Sequence, residues 1–262
     1  AHQIGYIDSR KIIVRLMLVV VILLSLWGAW YAFSRLIGSM MAEVTLPTDP
    51  NAKSSAVAAK WMAPNDPLTQ WLYSTLENDT FIPDRAIASV KNFEELVRLS
   101  PYDYRWWIEL GRVREQTDDP EGSEKAFRRA VELAPTYSYP RWHLGNFYLR
   151  QGRTDEAFAE LRLAAANNTR YREQVFYTVW DFFNHDKTQL ERVVGNTPEV
   201  QAYLAKFYAA QGRPDDALVA WNSLTPEQKD ENKPVALVIM QGLFDKKHYR
   251  AAVSFAREVG RE

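Results

Sequence analysis

Residues 144–161, with the sequence LGNFYLRQGRTDEAFAEL, decide the fold class, because almost the same pattern returns at residues 204–221 as LAKFYAAQGRPDDALVAW. In both stretches a small residue stands three places before a tyrosine, and a glycine, an aspartate and an alanine follow. The members are Gly145 and Ala205, Tyr148 and Tyr208, Gly152 and Gly212, Asp155 and Asp215, and Ala157 and Ala217. A pattern that recurs with its spacing intact indicates a structural repeat.

The order of these residue types predicts a pair of antiparallel helices. The small residue fits where two helices cross closely, and the tyrosine fills the space beside it. Gly152 and Gly212 suit the turn between the helices, because glycine tolerates the left-handed conformation found at helix ends. The aspartate then lies near the start of the second helix, where its charge complements the helix dipole. Each pair alone exposes an apolar face, which stacking against its neighbours buries.

The repeat extends upstream with a step of 34 residues. Leu110 and Gly111 precede Leu144 and Gly145 by that step, and residues 93–101 (FEELVRLSP) precede the similar residues 127–135 (FRRAVELAP) by the same step. The copy at residues 200–224 is displaced by 60 residues from the copy at 140–165, close to two repeats with a deletion. Residues 248–259 are interpreted as the second helix of one more pair.

These copies resemble the tetratricopeptide repeat, whose pattern is W-x2-L-G-x2-Y followed by alanine, phenylalanine, alanine and a closing proline. The first full copy matches at Trp107, Leu110, Gly111, Phe127, Ala130 and Pro135, the second at Leu144, Gly145, Tyr148, Ala157 and Ala164, and the third at Leu204, Tyr208 and Ala217. The first copy departs at Arg114, where tyrosine is usual, and at Ser123, where alanine is usual. The resemblance implies an all-α fold: a TPR-like α-solenoid of helical hairpins over residues 68–262.

Residues 176–183, FYTVWDFF, fall where the regular spacing is lost. One interpretation is a divergent hairpin that buries a broad apolar face. The other is an exposed aromatic patch for a partner, since aromatic residues are enriched at protein interfaces.

The resemblance also implies a binding surface. Tetratricopeptide repeats usually bind peptides or partner domains, and the first helix of each hairpin lines the concave face. By that resemblance the groove residues are Arg105, Ile108, Arg112, Trp142, Asn146, Arg150 and Lys206. Four are cationic, which favours an acidic or C-terminal carboxylate ligand. The alternative is a solvated charged face, and the full carboxylate-clamp set of lysines and asparagines is not present.

An apolar segment precedes the repeats. Residues 16–33 carry no charge, and a helix over residues 12–33 would be about 33 Å long, enough to cross a bilayer core of about 30 Å. We therefore predict a transmembrane helix over residues 12–37, in contact with the lipid bilayer. The alternatives are a cleaved signal peptide, whose apolar region is usually shorter, and a buried helix of a soluble protein.

The flanking charges predict the orientation of this helix. Arg10, Lys11 and Arg15 precede the apolar run, whereas Arg35 alone follows closely. The positive side stays in the cytoplasm, so residues 1–11 are predicted to be a cytoplasmic tail and the later residues extracytoplasmic, periplasmic in a bacterium. Two overlapping small-xxx-small pairs, formed by Ser25, Gly28, Ala29 and Ala32, predict a helix-packing contact in the membrane.

Residues 38–67 contain Pro47, Pro50, Pro64 and Pro67 and are predicted to be a linker or wrapping segment. Within it, residues 51–62 are compatible with a short helix. The repeat region starts at residue 68, where Leu68, Trp71, Leu72 and Leu76 share one helix face.

The composition and the motifs limit the classes of function that this protein can have. A net charge of −1 does not indicate nucleic-acid binding, and the absence of cysteine excludes disulfides and thiol chemistry. The sequence contains no metal-binding, nucleotide-binding or hydrolase motif, so we expect no catalytic residues, cofactor, metal or small-molecule substrate.

The expected function is therefore a membrane-anchored scaffold that binds other membrane or extracytoplasmic proteins, as an accessory or structural subunit of a larger complex. The alternative is a transient cell-envelope assembly factor that binds client proteins or polysaccharide-synthesis machinery. An enzyme is the third class. The last repeat shows no clear polar capping helix, so a trimmed chain, a tightly docked end and a continuation of the native chain beyond Glu262 all stay open.

Overall fold

The structure, a computed structural model, describes residues 12–78 and 83–260. The predicted cytoplasmic tail, residues 1–11, lies outside the described residues. The regular secondary structure of the described residues is entirely α-helical. The helices are α1 Ile12–Val44, α2 Ala52–Met62, α3 Pro67–Leu76, α4 Pro83–Leu99, α5 Tyr104–Gln116, α6 Pro120–Leu133, α7 Ser138–Arg150, α8 Thr154–Asn167, α9 Thr169–Phe182, α10 Lys187–Val194, α11 Pro198–Ala210, α12 Pro214–Asn222, α13 Pro226–Glu231, α14 Lys233–Asp245 and α15 Tyr249–Glu258.

The helices form a series of hairpins divided between two compact units, one ending at Leu133 and the next beginning at Ala134. In the first unit α2 packs on α1, and α3, α4, α5 and α6 each pack on the preceding helix. In the second unit the hairpins are α7 with α8, α9 with α10, α11 with α12, and α14 with α15. This architecture confirms the predicted all-α, TPR-like helical array with a long apolar helix at its N-terminal end.

The helix α1 is longer than its apolar segment. It continues through residue 37, where the sequence analysis ends the membrane helix, and stops at Val44, before Pro47. The α2 helix confirms the short helix predicted at residues 51–62. The residues predicted as a linker are therefore largely helical, and the prolines fall in the turns or, at Pro67, in the first position of α3.

Small residues bring α1 and α2 together. A Cβ atom added at Gly38 would lie 2.8 Å from the Ala63 Cβ and 2.9 Å from the Ala59 carbonyl oxygen, so glycine is required there. Ala42 is buried in the same cluster as Ala56, Ala59 and Leu72. This packing attaches the end of α1 to the first hairpins.

The repeat residues occupy the predicted positions in the hairpins. A Cβ added at Gly111 would lie 2.8 Å from the ring of Phe127, and one added at Gly145 would lie 2.8 Å from the Leu161 Cγ. Both first helices therefore cross their partners at the small residue, as predicted. Gly152 and Gly212 have φ values of 71° and 72°, which confirms their place in the turns between helices.

The two departures from the repeat pattern in the first copy make polar contacts. The Ser123 hydroxyl is buried and donates to the Gly111 carbonyl oxygen at 2.8 Å. Arg114 forms an ion pair with Glu94 at 2.8 Å and donates to the Gly122 carbonyl oxygen at 3.2 Å. In place of a tyrosine ring, an arginine thus links α5 with α4 and α6.

The irregular segment at residues 176–183 belongs to a hairpin with a short second helix. The α9 helix has 14 residues, whereas α10 has only 8, which explains the shortened spacing to the third copy. Phe176, Val179 and Trp180 are buried. This confirms the divergent hairpin, although Tyr177 and Phe182 are each 46% exposed.

The last hairpin is the additional pair predicted from residues 248–259. Its second helix, α15, buries Ala252 and Phe255, and Phe255 packs edge-on against Trp221 of α12 at 5.5 Å between ring centroids. The α14 helix packs on α11, where a Cβ added at Gly242 would lie 3.4 Å from the Ala209 Cβ.

Candidate protein-interaction surfaces

The predicted groove residues of the first unit lie on α5. The Arg105 guanidinium donates to both carboxylate oxygens of Asp103, at 2.9 and 2.6 Å, and Arg112 donates to Glu109 at 3.2 Å. Both arginines are exposed. Ile108 is fully buried, which removes its side chain from the candidate surface.

Asp103 has two roles at the start of α5. Its carboxylate caps the helix by accepting a hydrogen bond from the Arg105 backbone N–H at 3.0 Å, and it also pairs with the Arg105 side chain. The side-chain hydrogen bond from Arg105 is the main reason why the pKa of Asp103 lies below its ordinary value. The positive charge of Arg105 is thus offset by a neighbour on its own chain.

In the second unit, Trp142, Asn146 and Arg150 lie on α7 and Lys206 lies on α11. The Trp142 ring is half-buried and packs against the Tyr171 ring of α9 at 6.0 Å between centroids. The Asn146 side-chain amide donates to the Trp142 carbonyl oxygen at 2.8 Å. Lys206 forms an ion pair with Glu173 of α9. The α9 helix therefore connects the predicted residues of α7 and α11.

Aromatic and acidic residues that were not among the predicted groove residues complete this region. We call it the α7–α9–α11 surface and define it by Trp142, Tyr171, Glu173, Tyr177, Tyr203 and Lys206. Arg172 is buried behind it, with its guanidinium carbon 4.7 Å from the centre of the Tyr203 ring and its Nε donating to the Ala165 carbonyl oxygen at 3.3 Å. The FYTVWDFF segment indicated Tyr177 as a candidate for partner contact, whereas no position of the repeat pattern indicated Glu173.

The electrostatics of these surfaces differ from the cationic groove expected from the sequence. Of the four predicted cations, Arg105, Arg112 and Lys206 are each paired with a carboxylate of the chain. Exposed pairs of this kind contribute little to stability, but they neutralise the charge that a carboxylate ligand needs. The arrangement suits recognition by aromatic contact and mixed hydrogen bonds more than capture of an anion.

The residues predicted for packing in the membrane lie on α1. Ser25, Ala29 and Ala32 are exposed and Gly28 is half-exposed, and a Cβ added at Gly28 would meet no atom within 4 Å. Within residues 12–78 and 83–260, α1 is the one helix long and apolar enough to cross a bilayer, a test that a signal sequence also passes. The helix contact at these small residues stays a prediction.

Fold and surfaces together define the class: an all-α helical-repeat protein with one long apolar helix near its N-terminus. Two family profiles described as "Tetratricopeptide repeat" match the chain, one at residues 84–138 and the other at residues 138–162 and 198–222. The chain thus contains tetratricopeptide repeats at these residues, a repeat type that is generally non-catalytic. A search of curated protein sequences gives no match.

Several solved structures are similar to the chain at low identity. A crystal structure of the MamA protein is 14% identical, with 79% of this chain and 96% of that chain covered and a TM-score of 0.40. A thermophilic TPR protein of Thermus thermophilus is 17% identical, with 82% and 99% covered and a TM-score of 0.39. YrrB, described as a TPR protein with an unusual peptide-binding site, is 14% identical, with 81% and 89% covered and a TM-score of 0.35.

Proposed function

We propose that this protein is a membrane-anchored scaffold that holds partner proteins at the membrane as an accessory or structural subunit of a larger complex. The observation that carries the proposal is the direct joining of α1, an exposed apolar helix, to an array of tetratricopeptide-like hairpins through the packing of α1 on α2. A chain of this design attaches to the membrane at one end and to proteins along its hairpins. Two attachments on one chain raise the effective concentration of a partner at the membrane.

In this proposal α1 is an uncleaved anchor with its N-terminal side in the cytoplasm. The positive flank formed by Arg10, Lys11 and Arg15 supports that orientation. The α1–α2 packing supports retention of the helix, because the buried face of α2 would lose Gly38 and Ala42 of α1 if the apolar segment and its continuation were removed. The hairpins then lie on the extracytoplasmic side.

We further propose that the α7–α9–α11 surface contacts the partner protein. Its aromatic side chains are half-buried or exposed, and aromatic residues are enriched at the energetic centres of protein interfaces. Tyr177 is 46% exposed and its ring packs on Phe207, so it is held in place before any partner arrives. Because Lys206 is paired with Glu173, the partner is expected to present an apolar or mixed surface, not a carboxylate.

The second candidate function is a transient assembly factor of the cell envelope that binds client proteins or polysaccharide-synthesis machinery. Paired surface charges and half-exposed aromatic side chains suit weak, short-lived binding of clients as well as stable docking of one partner. The two functions differ in stoichiometry: a structural subunit is recovered with its partners at a fixed ratio, whereas a transient factor is recovered alone or with a changing set of clients.

The experiment is gentle detergent extraction of native membranes, affinity capture on the full chain and quantitative mass spectrometry. A Tyr177→Ala variant tests the surface. Leu163→Ala is its matched control, because Leu163 is 44% exposed but lies on α8, the second helix of its hairpin. The scaffold proposal expects a fixed-ratio set of proteins that Tyr177→Ala reduces and Leu163→Ala retains. A heterogeneous or empty capture from wild type contradicts it and favours the transient factor.

A further inference from the structure

The α2 helix exposes an apolar face that the packing of the hairpins does not use. Its buried face consists of Ala52, Ala56 and Ala59. On the opposite face Ser54, Val57 and Trp61 follow one another at helical spacing, and the Val57 and Trp61 side chains are 51% and 75% exposed. Pro50, Lys53 and Ala58 complete the lining of a shallow cavity of about 740 Å³ on this face. At 75% exposure, most of the Trp61 side chain is available to another surface.

The contacts between α1 and α2 fix the direction of this face. Gly38 approaches Ala59 and Ala63 near the end of α2, whereas Ala42, one turn further along α1, lies in a cluster with Ala56 and Ala59 that extends toward the start of α2. The two helices are therefore antiparallel. Trp61 lies between Ala59 and Ala63 in sequence and thus at the level of Gly38, while Val57 and Ser54 lie progressively nearer the level of Val44.

The positions of two arginines in α1 allow these levels to be expressed as depths in a membrane. Arg15 and Arg35 enclose the uncharged run of 16–33, and the step of 20 residues from one arginine to the other corresponds to about 30 Å of helix, the thickness of a bilayer core. Gly38 is then about 4.5 Å beyond Arg35 along the helix axis. The headgroup layer on each side of the core is about 5–8 Å thick. With α1 across the membrane, Trp61 is at the depth of that layer, and Val57 and Ser54 are about 6 and 10 Å further out.

We propose that α2 is an interfacial element: Trp61 inserts between lipid headgroups beside α1, with Val57 just outside the headgroup layer and Ser54 further out in water. Tryptophan is the side chain that favours this position, because its ring is apolar and its indole N–H stays near water. The occupant is the bilayer and not a protein, because the contact of Gly38 with Ala59 and Ala63 places Trp61 at the depth of the headgroup layer when α1 spans the membrane. The proposal rests on the membrane insertion of α1 proposed above.

The test uses site-specific fluorescence on the full chain, which has no cysteine and needs no background removal. Single variants Trp61→Cys, Val57→Cys and Ser54→Cys carry an environment-sensitive fluorophore. Each protein is reconstituted into phosphatidylcholine–phosphatidylglycerol vesicles and quenched with iodide from water, or with a lipid brominated near the headgroup end of its acyl chains. Leu23→Cys, in the apolar run of α1, and Val219→Cys, 63% exposed on α12, are the controls.

The proposal expects lipid quenching to fall in the order 61, 57, 54 and iodide quenching to rise in the same order, with roughly twofold or more between the ends of the series. Because Trp61→Cys removes the indole itself, the Val57 label is also measured in a Trp61→Ala background, where lipid quenching should decrease. If the 61 label resembles the Val219 label, or the three labels are quenched equally by lipid, α2 does not lie as proposed.

The two controls separate this proposal from the one on which it depends. A Leu23 label that the brominated lipid does not quench means that α1 is not inserted, and the membrane anchor fails with it. A quenched Leu23 label with water-exposed labels on α2 keeps the anchor and rejects the interfacial element. Shielding of the 61 label from iodide without lipid quenching indicates a protein contact on α2 and also rejects the proposal.

Discussion

Glycines at the helix crossings differ in how closely the neighbouring helix approaches. A Cβ at Gly145 would lie 2.8 Å from Leu161 and 3.1 Å from the Ala157 carbonyl oxygen, whereas a Cβ at Gly242 would find its nearest neighbours at 3.4 Å. Gly145→Ala should therefore destabilise the α7–α8 hairpin by about 1–3 kcal/mol through overpacking. Gly242→Ala, its matched control, should be neutral or stabilising by up to about 1 kcal/mol, because alanine favours the helix.

Hydrogen exchange of the α7 and α8 amides in the full chain measures the effect of Gly145→Ala. Equal exchange rates in the two variants would contradict the close crossing at Gly145. Faster exchange in Gly242→Ala than in Gly145→Ala would do so as well.

The ion pair at the start of α5 gives a pH-dependent prediction. The hydrogen bond from Arg105 lowers the pKa of Asp103 below its ordinary value of 3.8. A carboxyl with a lowered pKa in the folded state stabilises the protein above its unfolded pKa, and this contribution is lost as the pH falls through the folded value. Asp103→Asn keeps a helix-capping oxygen but removes the charge, so it should cost about 0.2–1 kcal/mol at pH 7.

The expected signature is a difference between wild type and Asp103→Asn that is constant above about pH 5 and shrinks at lower pH, as the Asp103 carboxyl becomes protonated. Hydrogen exchange of the α5 amides at a series of pH values, referred to unfolded-chain rates, measures this difference. A difference that stays the same at pH 3 and pH 7 would show that the asparagine cap, and not the charge, is responsible.

At the residue level the repeat positions were predictable because steric constraint selects few residue types there. Gly111, Gly145 and the turn residues Gly152 and Gly212 all lie where their pattern placed them. The surface residues were less predictable. Whether a cation such as Lys206 is paired depends on a residue 33 positions away, Glu173, and no local pattern encodes that distance.

The contact between α11 and α14 is the element-level feature that attaches the last hairpin to the rest of the second unit. Ala209 is fully buried there, against Gly242, whereas the next residue, Ala210, is exposed. Ala209→Leu should force the helices apart and cost about 1–3 kcal/mol, with faster hydrogen exchange concentrated in α14 and α15. Ala210→Leu on the same helix is the control and should leave that exchange unchanged. Uniform loss of protection in α7 and α8 as well would mean that the last hairpin is not a separable element.

At the level of helices and hairpins, most of the fold could be predicted from the periodicity of the sequence. The 34-residue step and the glycine turns located the hairpins, and the loss of phase at residues 176–183 pointed to a divergent pair. The shortness of α10 was not predictable, because its eight residues gain their burial from α8 and α9 instead of from their own length. Likewise α1 continues to Val44 and packs on α2 through Gly38, a pairing that sequence composition does not reveal.

Topology is the prediction that belongs to the whole molecule. If the proposed orientation is correct, a membrane-impermeant maleimide should label Val219→Cys, on the exposed face of α12, before lysis. The cells are treated so that their outer barrier is permeable while the cytoplasmic membrane stays intact. Ser9→Cys, on the predicted cytoplasmic tail, should react only after lysis. The reverse pattern would invert the orientation, and labelling of both before lysis would reject a membrane-spanning α1.

At the scale of the whole chain, the class of protein could be predicted from the sequence, but its partner could not. Apolar length and flanking charge are local properties, so the anchor and its orientation could be proposed from residues 10–35 alone. A binding surface is assembled from several helices, and the α7–α9–α11 surface takes its members from three of them. In this surface the Glu173 carboxylate offsets the charge of Lys206, a pairing that the single-residue pattern does not show.

The unbroken course of α1 into its packing with α2 has a mechanical consequence if the helix spans a bilayer. Within the described residues 12–78, α1 runs directly into its packing with α2, so the first hairpins are held at a fixed height above the lipid instead of moving about a flexible tether. A change in the tilt of α1, such as a thicker or thinner bilayer produces, would be transmitted through Gly38 as a rotation of α2 and α3. The orientation of α2 and α3 relative to the membrane would then change with bilayer thickness.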